Sequence, residues 1–400
     1  MLPRVKIYFE NGLIGSTTPS EDGVAGLVAT GVAVTNKFVL GTAYLITSLS
    51  GLTALGITSG DADANKTIYK AVNDFYTEAT DGTKLWLKGV ADTVTLANMM
   101  DVTLTHAKGL IDSANGAIKV LFAAKKDATG YTTTITNGLD ADVTAAITKA
   151  QALGEYATDT KYAPLFSIIP GRHYSGVAAD LADLGTGASN RVCVMIGDTV
   201  ASSVDAAVGL LAGRIASIPV QRSISRVKSG AIGATPLYIG AVTAENGAPD
   251  VINDGGYITF RTFVGKAGYY FTDDKLATDP TEDYALIPRR RCIDKACRLA
   301  YKTLVNELND EVPVTDAGYL PHSICKSIQN AVEIDIINTM GTAGELGRNP
   351  DDVNDDGVEC FIDPNQNIVA TSQFNVKLRI KPFGYPKYID LYLGFKTAAV

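Results

Sequence analysis

The sequence predicts an α/β domain followed by an α+β domain, on three observations. Short apolar runs alternate with helical stretches from residue 24 to about 220. A β-branched, aromatic segment, two helical stretches and a pair of alternating strands then close the chain. Its 400 residues exceed what one hydrophobic core usually organises. The expected division is an N-terminal arm over 1–20, an α/β domain over 21–235 and a C-terminal α+β domain over 236–400.

Taken in order, "RVKIYFE" (4–10) reads as one short strand on an extended arm, and "NGLIGSTTPSEDG" (11–23) as turn-rich linker. "GVAGLVATGVAV" (23–34) is the longest apolar stretch, too short and too rich in glycine to span a bilayer. Strands are expected at "KFVLGTAYLI" (37–46), "KLWLKGV" (84–90), "IKVLFAAK" (118–125), "PLFSIIPG" (164–171) and "RVCVMIG" (191–197). Helices are expected between and after them, at "DANKTIYKAVNDFYTEA" (63–79), "DADVTAAITKAQALGEYA" (140–157) and "SSVDAAVGLLAGRIAS" (202–217). The second opens on Asp140 or Asp142, whose carboxylate suits an N-terminal cap.

"GGYITFRTFVGKAGYYFTDD" (255–274) reads as strand with a glycine break. In the long helix after it, Ile293, Ala296, Cys297, Ala300, Tyr301, Leu304 and Leu308 recur at three- and four-residue steps, predicting one apolar face. Pro321 opens the next helix, carried on by Ile324, Ile328, Ala331 and Val332. At the end, Val376, Leu378 and Ile380 alternate with Lys377, Arg379 and Lys381. Past a Pro/Gly turn at 382–386, Ile389, Leu391, Leu393 and Phe395 alternate with Tyr388, Asp390, Tyr392 and Gly394. Two half-buried strands are expected. An apolar strand at a chain end is a liability, because an open edge offers unpaired backbone groups to any passing strand.

Composition narrows the function. A formal net charge of −8 disfavours nucleic acid, which needs a concentrated basic face. The first residues lack the apolar core of a secretory signal. Five scattered cysteines, with no CxxC pair, read as reduced thiols. His106, His173 and His322 share no metal-binding spacing. No cofactor is expected. There is no G-x-S-x-G elbow or HExxH, and no cysteine near a partner histidine, so the chain is not expected to be an enzyme.

Three stretches imitate sites. "GDADANKT" (60–67) lies where a phosphate loop would, but Asn65 stands at the second glycine position, and Asp61 and Asp63 would repel phosphate. Its plain reading is a loop with Asp63 or Asn65 as helix cap. "DVNDDGVECFID" (352–363) places Asp352, Asn354, Asp356, Gly357 and Asp363 at positions one, three, five, six and twelve of a calcium loop, with Asp where a bidentate Glu is usual. Its plain reading is an acidic turn. "RRR" (289–291) is either the solvated side of a helix or a contact for an acidic partner.

The segments "GYITFRTFVGKAGYYFTDDKLAT" (256–278), "DYALIPRRRCIDKACRLAYKTLV" (283–305) and "GVECFIDPNQNIVATSQFNVKLRIKPFGYPKYIDLYLGF" (357–395) resemble the contractile tail-sheath family of phages and related injection systems. The resemblance covers about 250 to 400 well and the rest loosely. It implies a two-domain sheath subunit with an extended N-terminal arm and a donated C-terminal strand. Such subunits polymerise into stacked hexameric rings around an inner tube and contract to drive the tube through a target envelope. The strand donors would be Val5, Ile7 and Phe9 at one end and Ile389, Leu391, Leu393 and Phe395 at the other. Arg289, Arg290, Arg291 and Lys295 would contact the tube. The partners implied are further copies of the chain, an inner tail tube protein and a baseplate, with no nucleic acid and no membrane insertion. The setting is a virion tail sheath, or a bacterial cytoplasm holding an assembled injection system. The competing readings are a nucleotide-binding α/β enzyme using 60–67 and a calcium-dependent surface module using 352–363.

Overall fold

The computed structural model describes residues 21–60 and 63–395. Val5, Ile7 and Phe9 lie outside the described residues. The chain divides into two compact units between Tyr301 and Lys302.

The first unit is built on a six-stranded sheet. Its strands are β1 (Ala25–Thr30), β2 (Ala43–Ile46), β3 (Leu85–Val90), β4 (Val120–Ala124), β5 (Phe166–Pro170) and β6 (Val192–Met195). They lie in the order β2-β3-β1-β4-β5-β6, all parallel except β2, which runs antiparallel to β3. The register aligns Leu87, Leu27, Phe122, Ile168 and Cys193 in one row across the sheet, every one of them buried. A parallel sheet covered on both faces needs such continuous apolar strands. That requirement explains β1, which lies inside "GVAGLVATGVAV": the run, too short and glycine-rich for a bilayer, is a buried inner strand of the sheet.

The covering helices are α1 (Asp63–Glu78), α2 (Ala107–Ala114), α3 (Ala141–Asp159) and α4 (Val208–Ser217). Asp140 caps α3, its carboxylate accepting from the Asp142 amide at 3.1 Å. Asp142 reaches outward instead, accepting from the Leu96 and Ala97 amides at 2.6 and 2.9 Å. It thereby ties the start of a short helix (Leu96–Met100) to α3. Helices α1 and α4 approach at van der Waals contact through Gly209 and Gly213. A Cβ on either would overlap the carbonyl oxygen of Ala71 or Phe75.

Residues 236–301, expected in the C-terminal domain, fold on the first unit. Ile258 bridges Met195 beside β6, exchanging 2.9 Å backbone bonds with Val194 and Ile196. The glycine break beyond it is a turn: β7 (Phe260–Phe263) and β8 (Lys266–Phe271) form an antiparallel hairpin, with Gly265 at φ +78° between them.

Helix α5 (Ile287–Leu304) departs from its expected face. Ala296 and Ala300 are buried as the period predicts, but Cys297 and Tyr301 are exposed. Beside Ile287, Pro288 and Cys292, the buried residues include the charged Arg290, Arg291, Asp294 and Lys295. A period of 3.6 locates a face; it does not say that the face is apolar when its charges find partners.

In the second unit, α6 (His322–Ile336) lies over a hairpin of β9 (Val358–Ile362) and β10 (Val376–Ile380). Leu320, Cys325, Ile328 and Ile362 form its small core, with Ile324 and Val376 against them. No helix among the described residues is long and apolar enough to cross a membrane.

Candidate assembly interface

The hairpin of the second unit has two edges, and they differ chemically. On β9, the Cys360 amide donates to Glu333 at 2.7 Å, and the Cys360 carbonyl accepts from Gln329 Nε2 at 2.8 Å. Helix α6 therefore caps the centre of that edge, at Cys360, with its own side chains. Opposite residues of an antiparallel pair alternate between exchanging hydrogen bonds and pointing them away. Since Cys360 points away from β10, its opposite number Leu378 points away from β9, and so do Val376 and Ile380 at the same phase. The Lys381 amide, at the other phase, donates back to Gly357 at 2.8 Å, as the alternation demands. Among the described residues β10 has no second strand neighbour. Its outer edge thus presents three residues' worth of backbone groups, flanked by the half-buried side chains of Val376, Leu378 and Ile380.

The tail that follows does not return to pair with β10. Residues 381–395 carry no strand, contrary to the expected half-buried pair. Ile389, Leu391, Leu393 and Phe395 are 83%, 77%, 88% and 103% exposed. A strand of alternating leucine-class residues left in water has lost the burial that its pattern is made for. Pro382 and Pro386 account for part of this, because each lacks an amide to donate to a ladder.

The basic run has a different fate. Asp294, almost fully buried, accepts from Arg290 Nη2 at 2.6 Å and from Arg191 Nη1 at 3.2 Å. The Arg290 guanidinium also lies 4.5 Å over the Tyr284 ring, a cation–π contact. Arg291 donates to the Ile218 and Pro219 carbonyls at 3.1 and 3.2 Å, just beyond the last turn of α4, where carbonyls lack helical partners. Lys295 sits 2.5 Å from Asp22, which also accepts from Arg298 at 3.2 Å. Burial pushes the Asp22 carboxyl up, but Lys295 and Arg298 outweigh it and hold it below the ordinary carboxylate range. Arg290, Arg291 and Lys295 bolt α5 to the sheet unit. Arg289 is the half-buried member of the run.

The two imitation sites resolve into ordinary structure. Asn65 anchors the start of α1, accepting from the Val32 amide at 2.8 Å and donating to its carbonyl at 3.2 Å. Asp61 and Ala62 lie outside the described residues. In 352–363, Asp355 is the engaged carboxylate: it accepts from Lys381 Nζ and the Asn349 amide at 2.6 Å and from the Gly357 amide at 2.9 Å. Those donors hold its carboxyl down to about 2. Strand β9 begins at Val358 and carries Asp363 away from Asp352, whereas a calcium loop must fold back to close its twelfth position. Among the described residues no cluster of three metal-ligating side chains occurs.

The sequence matches two family profiles, described as DUF2586, N-terminal domain, over residues 2–275 and DUF2586, C-terminal domain, over residues 283–399. The chain belongs to the DUF2586 family. No curated protein matches this DUF2586 chain. Its fold is that of solved sheath subunits of contractile injection systems. A structure of the anti-feeding prophage baseplate superimposes with a TM-score of 0.63 at 16% identity, covering 99% of this chain and 100% of that one. A contracted sheath complex of the extracellular injection system PVC gives 0.63 at 15% identity, over 98% and 97%. The sheath tail protein Lin1278 of Listeria innocua gives 0.54 at 9% identity, over 92% and 93%. At these identities the likeness establishes the fold. The features that sequence reasoning missed are the closed and open edges of the hairpin. The signal for closure was the pair Gln329 and Glu333, one helical turn apart on the face of α6.

Proposed function

We propose that this chain is a structural subunit of a contractile sheath, polymerising when the tail of one copy adds to the outer edge of β10 in another. The observation that carries this reading is the pairing of an apolar tail exposed along its whole alternating face with a hairpin whose other edge is already closed. Strand addition gains main-chain hydrogen bonds, while the alternate side chains set register and partner. Residues 389, 391, 393 and 395 are the donors on this reading. A head-to-tail contact of this kind does not close on itself, so it propagates into rings and helical layers. Stacked hexameric rings around an inner tube, contraction by rigid rotation of subunits, and attachment to a baseplate extend the same reading, and the sheath and baseplate assemblies with this fold support it. Val5, Ile7 and Phe9 are a second donor strand on this proposal. Of the basic run, Arg289 is retained as a tube contact, because its three companions are engaged within the chain. The setting is a phage tail or a related injection apparatus.

The test is negative-stain microscopy of the purified chain and of a chain ending at Lys387. The full chain is expected to form tubes or ring stacks, and the shortened chain to remain as folded single subunits. Normal polymers from the shortened chain would overturn strand donation.

A further inference from the structure

A cavity of about 580 Å³ opens in the first unit beyond the carboxyl ends of β4 and β5, between the first turns of α1 and α4. In parallel α/β sheets this is the place where ligands bind, because the strand ends leave a crevice there. Arg172, two residues past β5, is 1% exposed and lines it. A buried guanidinium ordinarily has its five N–H groups matched by acceptors. Here Nε and Nη1 have no hydrogen-bond partner. Nη2 pairs with the Asp127 carboxylate at 2.9 Å, and Asp205 lies 3.7 Å from Nε. Lys70 is already bound at 2.6 Å to both Asp74 and Asp198. Lys125, buried at the mouth of β4, donates to the Asp92 and Lys126 carbonyls at 3.1 and 3.3 Å and lies 5.5 Å over the Tyr131 ring. Burial, and then the nearby Arg172 charge, push the Lys125 amine below its ordinary value, so an added anion would relieve both cations. Ala124, Val200, Val204 and Val208 supply the apolar part of the wall.

We propose that this cavity binds a small molecule bearing a carboxylate or phosphate head, held by the Arg172 fork with its apolar body against Val200, Val204 and Val208. The guanidinium N–H groups that Asp127 leaves over can meet the oxygens of one head group. The volume leaves room for a body as well as the head. This inference concerns the sheet unit alone and stands apart from the assembly reading.

The experiment is calorimetric titration of the full chain with inorganic phosphate, phenyl phosphate and benzoate at constant ionic strength, with benzyl alcohol as the uncharged control. Saturable binding of phenyl phosphate or benzoate tighter than about 1 mM is expected, and which of the two binds better names the head group. Arg172→Lys, which keeps charge and loses the fork, is expected to weaken binding at least tenfold. Val204→Phe, at an exposed position on the cavity's lip, is expected to fill the space and remove binding with the far-UV spectrum unchanged, so the proposal stays testable should Arg172→Lys fail to fold. Absence of binding by all three anions, equal binding of benzyl alcohol, or unchanged affinity in Val204→Phe would each overturn the proposal.

Discussion

The tail offers the sharpest separation between folding and assembly. Leu391 and Leu393 are 77% and 88% exposed, so replacing both with alanine removes almost no contact within the chain. The unfolding midpoint of single subunits should stay within the scatter of surface substitutions, about 0.5 kcal/mol. In a polymer the same side chains would be buried on a neighbour, each worth roughly 2 kcal/mol. Every added subunit brings one tail, so Leu391→Ala with Leu393→Ala costs about 4 kcal/mol per addition. At 1.4 kcal/mol per tenfold, the critical concentration for assembly should rise by about a thousandfold. Light scattering against protein concentration measures that threshold, and denaturant unfolding of unassembled subunits measures stability. An unchanged threshold would refute the reasoning. So would a loss of subunit stability accompanying the rise in threshold, since that would place the leucines inside their own chain.

Asp294→Ala should destabilise the first unit by about 3 to 5 kcal/mol in chemical denaturation, because it strands Arg191 and Arg290 without their shared carboxylate. Gly213→Ala should cost 2 kcal/mol or more by the same assay, since the new methyl meets the Phe75 carbonyl rather than a movable side chain. Asp22 has a folded value below the unfolded one, so its contribution is complete above about pH 4 and is lost as pH falls through the lower folded value. Asp22→Asn should accordingly flatten the decline in stability below about pH 4, and a parallel curve for the two proteins would count against the Lys295 and Arg298 pairing. Calcium at millimolar concentration should leave the melting midpoint unmoved, because Lys381 already neutralises Asp355; a shift abolished by Asp352→Ala would contradict this.

Where a pattern depended only on neighbours along the chain, the sequence was sufficient. Five of the sheet's six strands, the Asp140 cap and the helices at 63–78 and 141–159 follow from period and capping, which are local properties. The Asn65 departure from a phosphate loop was likewise legible, because one missing glycine removes the backbone freedom that such a loop needs. The alternation at 389–395 also announced a strand seeking a partner. What it could not announce was that no partner lies within the chain. Pairing is a long-range choice, and here it turned on Gln329 and Glu333 closing β9 while β10 stayed open. The basic helix makes the same point in reverse. Arg290, Arg291 and Lys295 look like a surface to any reading of residue type, yet Asp294, the carbonyls beyond α4 and the sequence-distant Asp22 draw them into the interior. The sequence by itself determined where most of the strands and helices lie, because period and capping are local. Only the tertiary structure decided which charges are buried and which edge is free, because a charge or an edge is defined by the groups that fold against it.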